Sequence, residues 1–303
     1  MHVRCVQIPL SSQPVPPPFV QWGPALPQRP VIVSVPHAGR YYPHHLLSAA
    51  RASQTTLERL EDRYVDRVAR TAIVQGFSIV CATHARAYMD MNRGESDWDS
   101  QTVSGGRPNS TVSQRTNAGL GLIPRRLHGV GELWRHRIDH DELLQRVTDV
   151  HRPYHAAIHA MLVAAQQRFG CAVLIDLHSM PTQADGVPHI VLGDRYGSTA
   201  SPLLVDTLIA TAQGLGHVVA RNAPYAGAHT IEYHADRKRR IEAVQVEIDR
   251  ALYLDASALP TEQGIASMSK TLLRLLESAE HIALGGAMAA APKGCDSWRD
   301  AAE

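Results

Sequence analysis

The run CAVLIDL at residues 171–177 constrains the fold more than any other segment. Its one polar member is Asp176, so it reads as a strand buried on both faces, as in a sheet covered by helices on each side. Comparable short runs flank it: VIVSV (31–35), FSIVCAT (77–83), HIVLGD (189–194), HVVARN (217–222) and EAVQVEID (242–249). Helical patterns lie between them. Leu57, Leu60, Tyr64, Val68 and Ala72 recur every three or four residues and predict a helix from about Thr55 to Gln75, stopped by Gly76. A long helix is predicted over 132–169, kinked or split at Pro153. Two more are predicted over 198–214 and 262–279. This alternation predicts an α/β fold, with a mainly parallel or mixed central sheet and helices on both faces. The proline-rich stretch 9–30 predicts an extended arm across the surface. The expected division is an arm over 1–30, a single α/β domain over 31–280 and a tail over 281–303.

Composition narrows the partners. Thirty Lys and Arg stand against 29 Asp and Glu, a formal net charge of +1, so no global field exists to hold nucleic acid or an anionic membrane. No stretch reaches the roughly 18 apolar residues of a membrane span, and the N-terminus lacks the apolar run of a signal peptide. The four cysteines, Cys5, Cys81, Cys171 and Cys295, are far apart and form no CxxC. Reduced thiols in a cytoplasmic protein are the expectation, with Cys81 and Cys171 in the core. The 17 histidines are unusual and call for metal or proton chemistry.

In α/β sheets, ligands bind beyond the carboxyl ends of the strands. Strand 31–35 runs into Pro36-His37-Ala38-Gly39, and strand 171–177 into His178-Ser179. Strand 77–83 runs into His84, Arg86 and Asp90-Met91-Asn92-Arg93, and strand 242–249 carries Glu247. Two histidines with nearby carboxylates can make a hydrolytic zinc site, which needs three N or O ligands and an open position. Asp62, expected early in its helix, is a third candidate ligand, with Glu61 and Asp66 as alternatives. Asp176, two residues before His178, points to the same side of its strand and can orient it. His151, His155 and His159 share a helix face by their spacing of four. HEXXH is missing there, so a polar face with one residue turned into the cleft is the expectation. Residues 94–119 lack apolar periodicity and predict a long functional loop. The basic run Arg237-Lys238-Arg239-Arg240 has no interleaved aromatics and predicts a solvated loop. No phosphate-binding glycine loop and no GxSxG elbow occur.

Six segments in order, VSVPHAGRYYP, RAYMDMNR, HRPYH, LIDLHSM, NAPYAGAHT and AVQVEIDRALY, resemble the N-formylglutamate amidohydrolase family over about residues 31–255. That family is similar to the zinc carboxypeptidases and aspartoacylases, so the resemblance implies a zinc-carboxypeptidase-like (phosphorylase/hydrolase-like) architecture. It implies one Zn2+ per chain on His37, Asp62 and His178. The carboxypeptidase pattern has a glutamate three residues after its first histidine; here that residue is Arg40, and Asp62 supplies the carboxylate instead. By the same resemblance Glu247 activates water and Arg86 stabilises the oxyanion. Arg93, with Asn92 beside it, grips the substrate carboxylate, and Arg125, His229 and His155 complete the pocket. One departure stands out. Where the family reads I-T-R-H-Y-G, this chain reads Thr230-Ile231-Glu232-Tyr233-His234-Ala235, with Glu232 in place of the arginine. If that arginine holds a second carboxylate, the exchange bears on substrate choice and leaves the zinc set alone.

The implied function is zinc-dependent hydrolysis of an N-formyl or N-acyl amino acid such as N-formylglutamate, releasing formate and the free amino acid. The substrate would be small and anionic, held by local arginines, with no nucleic acid or membrane partner. Two rival readings are a zinc carboxypeptidase or amidase acting on a peptide or cell-wall fragment, and a non-catalytic metal-binding protein that kept the fold. Nothing in the sequence sets the oligomeric state.

Overall fold

The computed structural model describes residues 14–107, 113–183 and 185–290. Its centre is a seven-stranded sheet. The strands are β1 (Phe19–Trp22), β2 (Val31–Val35), β3 (Ser78–Ala82), β4 (Ala172–Met180), β5 (Ile190–Gly193), β6 (Val219–Arg221) and β7 (Ile241–Asp249). In space they run β1-β3-β2-β4-β7-β5-β6. The pairs β3–β2, β2–β4, β4–β7 and β5–β6 are parallel, while β1–β3 and β7–β5 are antiparallel, so the sheet is mixed. β1 lies within the segment expected to be a surface arm. Its four residues pair with β3 from Phe19–Ala82 to Trp22–Ile79 and cover an edge that would otherwise be open.

The main helices are α1 (Val65–Arg70), α2 (His140–Arg146), α3 (Arg152–Phe169), α4 (Pro202–Gly214), α5 (His229–His234) and α6 (Glu262–Ala290). Strand residues alternate between two cores. Val173, Ile175 and Leu177 of β4 face the side covered by α1, α4 and α6, whose buried stripes include Val68, Leu204, Leu208, Leu272 and Leu276. Ala172 and Leu174 face the other side, against Tyr154, Ile158, Met161 and Leu162 of α3. Each Val, Leu, Ile or Met side chain among these, fully buried, stabilises by roughly 1.5–3 kcal/mol. Cys81 and Cys171 are buried and free, as expected; Cys5 and Cys295 lie outside the described residues.

Three predicted boundaries differ. The helix expected over 55–75 is instead Gln54–Leu57, a 3-10 turn at Glu58–Leu60, an extended link, then α1 and a second 3-10 turn at Thr71–Gln75. Asp62 is therefore in the link and not in a helix. The region 132–169 begins with the short strands Gly131–Glu132 and Ile138–Asp139. α2 then passes through a π-helical turn at Val147–His151 into α3. That wider turn accommodates Pro153, which has no N–H to give an α-helical ladder. α6 continues through Ala290, well past the expected boundary at 280. Among the described residues no helix is long and apolar enough to cross a membrane.

Candidate metal centre and catalytic cavity

One sheet face changes character along its strands. Ile32, Leu174 and Ala243 are core beneath α3. Two residues further on, the same face carries Ser34, Asp176 and Gln245, which are register neighbours. Two residues further still it carries His178 and Glu247, directly paired. The carboxyl half of the sheet thus exchanges apolar packing for a buried polar row, and every group in it needs a partner.

His37 comes just past the end of β2, in a turn pressed on the end of β3. A Cβ at Gly39 would stand 2.1 Å from the carbonyl oxygen of His84, so only glycine fits. Asp62 is brought to His37 by backbone: its amide donates to the His37 carbonyl at 2.9 Å. Tyr64 then takes a left-handed conformation (φ 64°), turning the chain into α1.

His37, Asp62 and His178 are all buried, and one ligand atom of each lies within 4.8 Å of the others. His37 Nε2 is 2.7 Å from Asp90 Oδ1, and His178 Nε2 is 3.0 Å from Asp176 Oδ2. Carboxylates only accept, so both imidazoles carry a proton on Nε2 and turn Nδ1 inward; a metal ion would take the place of the proton that His178 Nδ1 shares with Asp62. Asp62 Oδ2 is 3.4 Å from His37 Nδ1 and 2.9 Å from His178 Nδ1. His37 Nδ1 is buried with no hydrogen-bond partner. Two imidazole nitrogens and a carboxylate facing one point, one nitrogen orphaned, fit a metal cation once the shared proton leaves; each histidine is braced by a carboxylate, the usual arrangement for metal-ligating histidine. Around the inward-facing atoms, Arg250 Nη2 donates to Asp62 Oδ1 at 3.1 Å. The Ser34 hydroxyl donates to Asp176 Oδ1 at 2.7 Å and so accepts from Tyr154 at 2.8 Å.

Electrostatics follow the same lines. Burial raises the Asp62 carboxyl, but the hydrogen bond with His178 and the nearby His37 ring outweigh it and hold Asp62 well below the usual carboxylate range. Burial is likewise outweighed at Asp90 by Arg86, His37 and Arg93. Burial lowers His178, yet Asp176 and Asp62 together carry it well above the usual imidazole range. In the protein without metal a proton therefore neutralises the cluster that a dication would neutralise in its place.

Glu247 is the exception among these carboxylates. Burial pushes its carboxyl up to about 7, with His178 acting the other way. Its hydrogen-bond partner among the described residues is Gln245 Nε2, at 2.8 Å. Gln245 Oε1 accepts from Asn92 Nδ2 at 3.1 Å, and Asn92 Oδ1 accepts the Thr230 amide at 2.8 Å, which fixes the Asn92 amide orientation. Asn92 therefore acts on Glu247 through Gln245.

These groups line a cavity of about 210 Å3. That is below the roughly 300–1,000 Å3 of pockets for drug-sized ligands, so it suits a small molecule. Five arginines face it, Arg59, Arg86, Arg93, Arg115 and Arg250, against the carboxylates Asp62 and Glu247. Arg86 Nε donates to Asp90 Oδ2 at 2.8 Å. Arg93 is buried; Nε and Nη1 donate to the Leu120 and Asn92 carbonyls, and Nη2 makes no hydrogen bond and lies 3.9 Å from Asp90 Oδ2.

Of the expected site residues, His37, Asp62, His178, Glu247, Arg86, Arg93 and Asn92 come together here. Arg125 does not: it is buried beside Glu132 and Asp99 and faces another cavity, with Arg51, Thr102 and Trp134. His155 and His229 line a neighbouring cavity with His151 and His159. Glu232 is exposed on α5 and pairs with Arg195 at 2.8 Å, away from the cavity. Sequence reasoning missed Arg59, Arg115, Tyr225, Gln245 and Arg250 as lining residues and gave Asp90 no role. Arg115 sits in the long loop expected to be functional. Arg250 directly follows the end of β7, where a strand-end signal was available.

The arrangement has close relatives. A profile of the N-formylglutamate amidohydrolase family matches residues 29–254. The N-formylglutamate deformylase of Pseudomonas aeruginosa is 28% identical over 265 residues, covering 82% of this chain and 92% of that protein. That of Pseudomonas putida is 27% identical over 262 residues, covering 82% and 90%. The crystal structure of N-formylglutamate amidohydrolase from Ralstonia eutropha JMP134 superposes with a TM-score of 0.80 at 31% identity, covering 88% of this chain and 99% of that one. The gene product Atu2144 of Agrobacterium tumefaciens shares the fold, with a TM-score of 0.64 at 18% identity. With its profile matched across most of its length and a relative of 31% identity sharing its fold, this chain belongs to the N-formylglutamate amidohydrolase family.

Proposed function

We propose that this chain is a zinc-dependent amidohydrolase that removes the formyl group from N-formylglutamate or a closely related N-acyl amino acid. The observation that carries the reading is the convergence, in one small cavity, of the His37–Asp62–His178 set, the buried Glu247 beside it and the Arg93 Nη2 that makes no hydrogen bond.

An amide is a poor electrophile and water a poor nucleophile at neutral pH. Held by His37, Asp62 and His178, one zinc ion would polarise the scissile carbonyl and bring the pKa of a bound water toward about 7. Glu247 takes a proton from the attacking water and returns it to the departing nitrogen. Water's oxygen adds to the formyl carbon, the C–N bond breaks, and the products are formate and a free amine. Burial suits Glu247 to this task, because a carboxyl poised near 7 both accepts and donates protons at neutral pH. Arg86, anchored by Asp90, is placed to meet charge developing on the carbonyl oxygen. Arg93 Nη2 takes a substrate carboxylate, and Arg59 and Arg115 at the cavity wall suit a second anionic group.

The test is formate release from N-formylglutamate by zinc-loaded protein, compared with formylaspartate, acetylamino acids and short peptides. Preferential turnover of a formylated dicarboxylate supports the reading. Cleavage of peptides alone transfers the site to peptidase chemistry. No turnover of any amide at full zinc occupancy makes it a binding site only.

A further inference from the structure

We propose that His151, His155 and His229 form a second metal site, for a transition-metal dication that prefers imidazole, separate from the His37–Asp62–His178 set. One ring nitrogen of each lies within 4.8 Å of those of the other two. His151 and His155 are buried, at 2% and 4% exposure, and His229 is half-buried at the start of α5. The three face a cavity of about 750 Å3, so an ion and its water have a path in.

The proton positions favour ligation. His151 Nε2 lies 2.8 Å from the Arg93 carbonyl, and His155 Nε2 lies 2.9 Å from the Met91 carbonyl. Carbonyl oxygens only accept, so both imidazoles are protonated on Nε2 and offer Nδ1 lone pairs. A metal-ligating histidine is commonly braced through its other nitrogen in this way. His151 Nδ1 is buried with no partner, although its ring lies against two other imidazoles. The nearest carboxylate is Glu95, whose Oε1 is 3.9 Å away and which Arg152 holds at 2.9 and 2.8 Å. That negative charge at the cavity wall offsets part of a dication's charge. Burial keeps His151 below the usual imidazole range and His229 at about 4, so both present the neutral form that ligates. His155 Nδ1 accepts from His234 Nε2 at 2.9 Å, and an ion must compete with that hydrogen bond. Unlike the first set, the second has no carboxylate ligand, so it fills after the first. Three neutral imidazoles with no thiolate select among Zn2+, Cu2+, Ni2+ and Co2+ and against Mg2+ or Ca2+.

The test is equilibrium dialysis of the untagged full chain against zinc after stripping with chelator, with circular dichroism to check the fold. Wild type is expected to take two equivalents, the weaker one lost first to a competing chelator. His229→Ala should keep one equivalent. His178→Ala, which breaks the other set, should also keep one, and the double variant none. Cu2+ bound to His178→Ala should give an electron paramagnetic resonance spectrum with nitrogen hyperfine structure that disappears on adding His229→Ala. Wild type saturating at one equivalent overturns the proposal. So does a folded His229→Ala that still takes two equivalents, or a Cu2+ spectrum in His178→Ala unaffected by loss of His229.

Discussion

Glu247 and His178 stand opposite each other on the adjacent parallel strands β7 and β4, side chains on the same face. Two strands that pair in register can hold the proposed base and a candidate metal ligand at a fixed spacing without help from loops. The register of the whole β4–β7 ladder, from Ile241–Ala172 to Asp249–Met180, maintains that spacing. A one-residue slip would turn Glu247 into the opposite core.

Glu247→Gln tests the base directly. Glutamine keeps the volume and can still bond Gln245 but cannot take a proton. We expect zinc content unchanged and kcat for formate release lower by about 10²–10⁴-fold or more. A variant with near-normal turnover would remove Glu247 from the mechanism.

The carboxylates behind the histidines have a separate signature. Asp90→Asn and Asp176→Asn leave His37 and His178 in place but no longer fix their proton on Nε2. Zinc affinity, read by competition with a chromophoric chelator, should weaken by about 10–100-fold in each. Asp176→Asn also disturbs Ser34 and Tyr154, so it should lower thermal stability as well. Unchanged zinc affinity in both variants would mean that the histidines are held by packing alone.

Arg93→Lys separates substrate gripping from chemistry. Lysine keeps the charge but loses the planar fork that leaves Nη2 free while Nε and Nη1 hold the Leu120 and Asn92 carbonyls. A hydrogen bond to a charged group is worth about 1.5–3 kcal/mol, so kcat/KM for N-formylglutamate should fall about 10–150-fold, mostly through KM, with zinc retained. An equal loss for an uncharged formamide would show that Arg93 does not read the carboxylate.

What the sequence made legible follows from burial. CAVLIDL and EAVQVEID, buried on both faces, could be read as strands, and their polar ends located His178 and Glu247; that they lie side by side came only with the fold. The stretch 55–75 kept helical periodicity and still is not one helix, because the bond from the Asp62 amide to the His37 carbonyl holds the chain extended at that point. That bond spans 25 residues and leaves no trace in local spacing, so Asp62 rested on resemblance rather than on pattern. Arg59 and Arg115 come from separate connecting segments and meet only in the fold. Glu232 carried an expectation about the second carboxylate; its side chain points outward to Arg195, so the exchange lies outside the cavity.

The raised Glu247 carboxyl makes a stability prediction for the metal-free protein. Its folded pKa, about 7, exceeds its ordinary value of 4.5, so the native state binds more protons between those values. Stability contributed by this group is full below pH 4.5 and falls as pH rises to about 7. His178 is raised well above its usual range and stays charged across most of that window. Glutamine at 247 does not titrate. The stability of Glu247→Gln relative to wild type, both stripped of metal, should therefore climb from pH 4.5 to 7. It should level off at a gain on the order of 3 kcal/mol, from 1.36 kcal/mol per pKa unit, or roughly 5 °C in Tm. A bound dication favours the ionised carboxylate, so zinc should shrink the difference. Denaturant titrations at pH 5, 6, 7 and 8 measure it, and a difference flat across that range would show that Glu247 is ionised throughout.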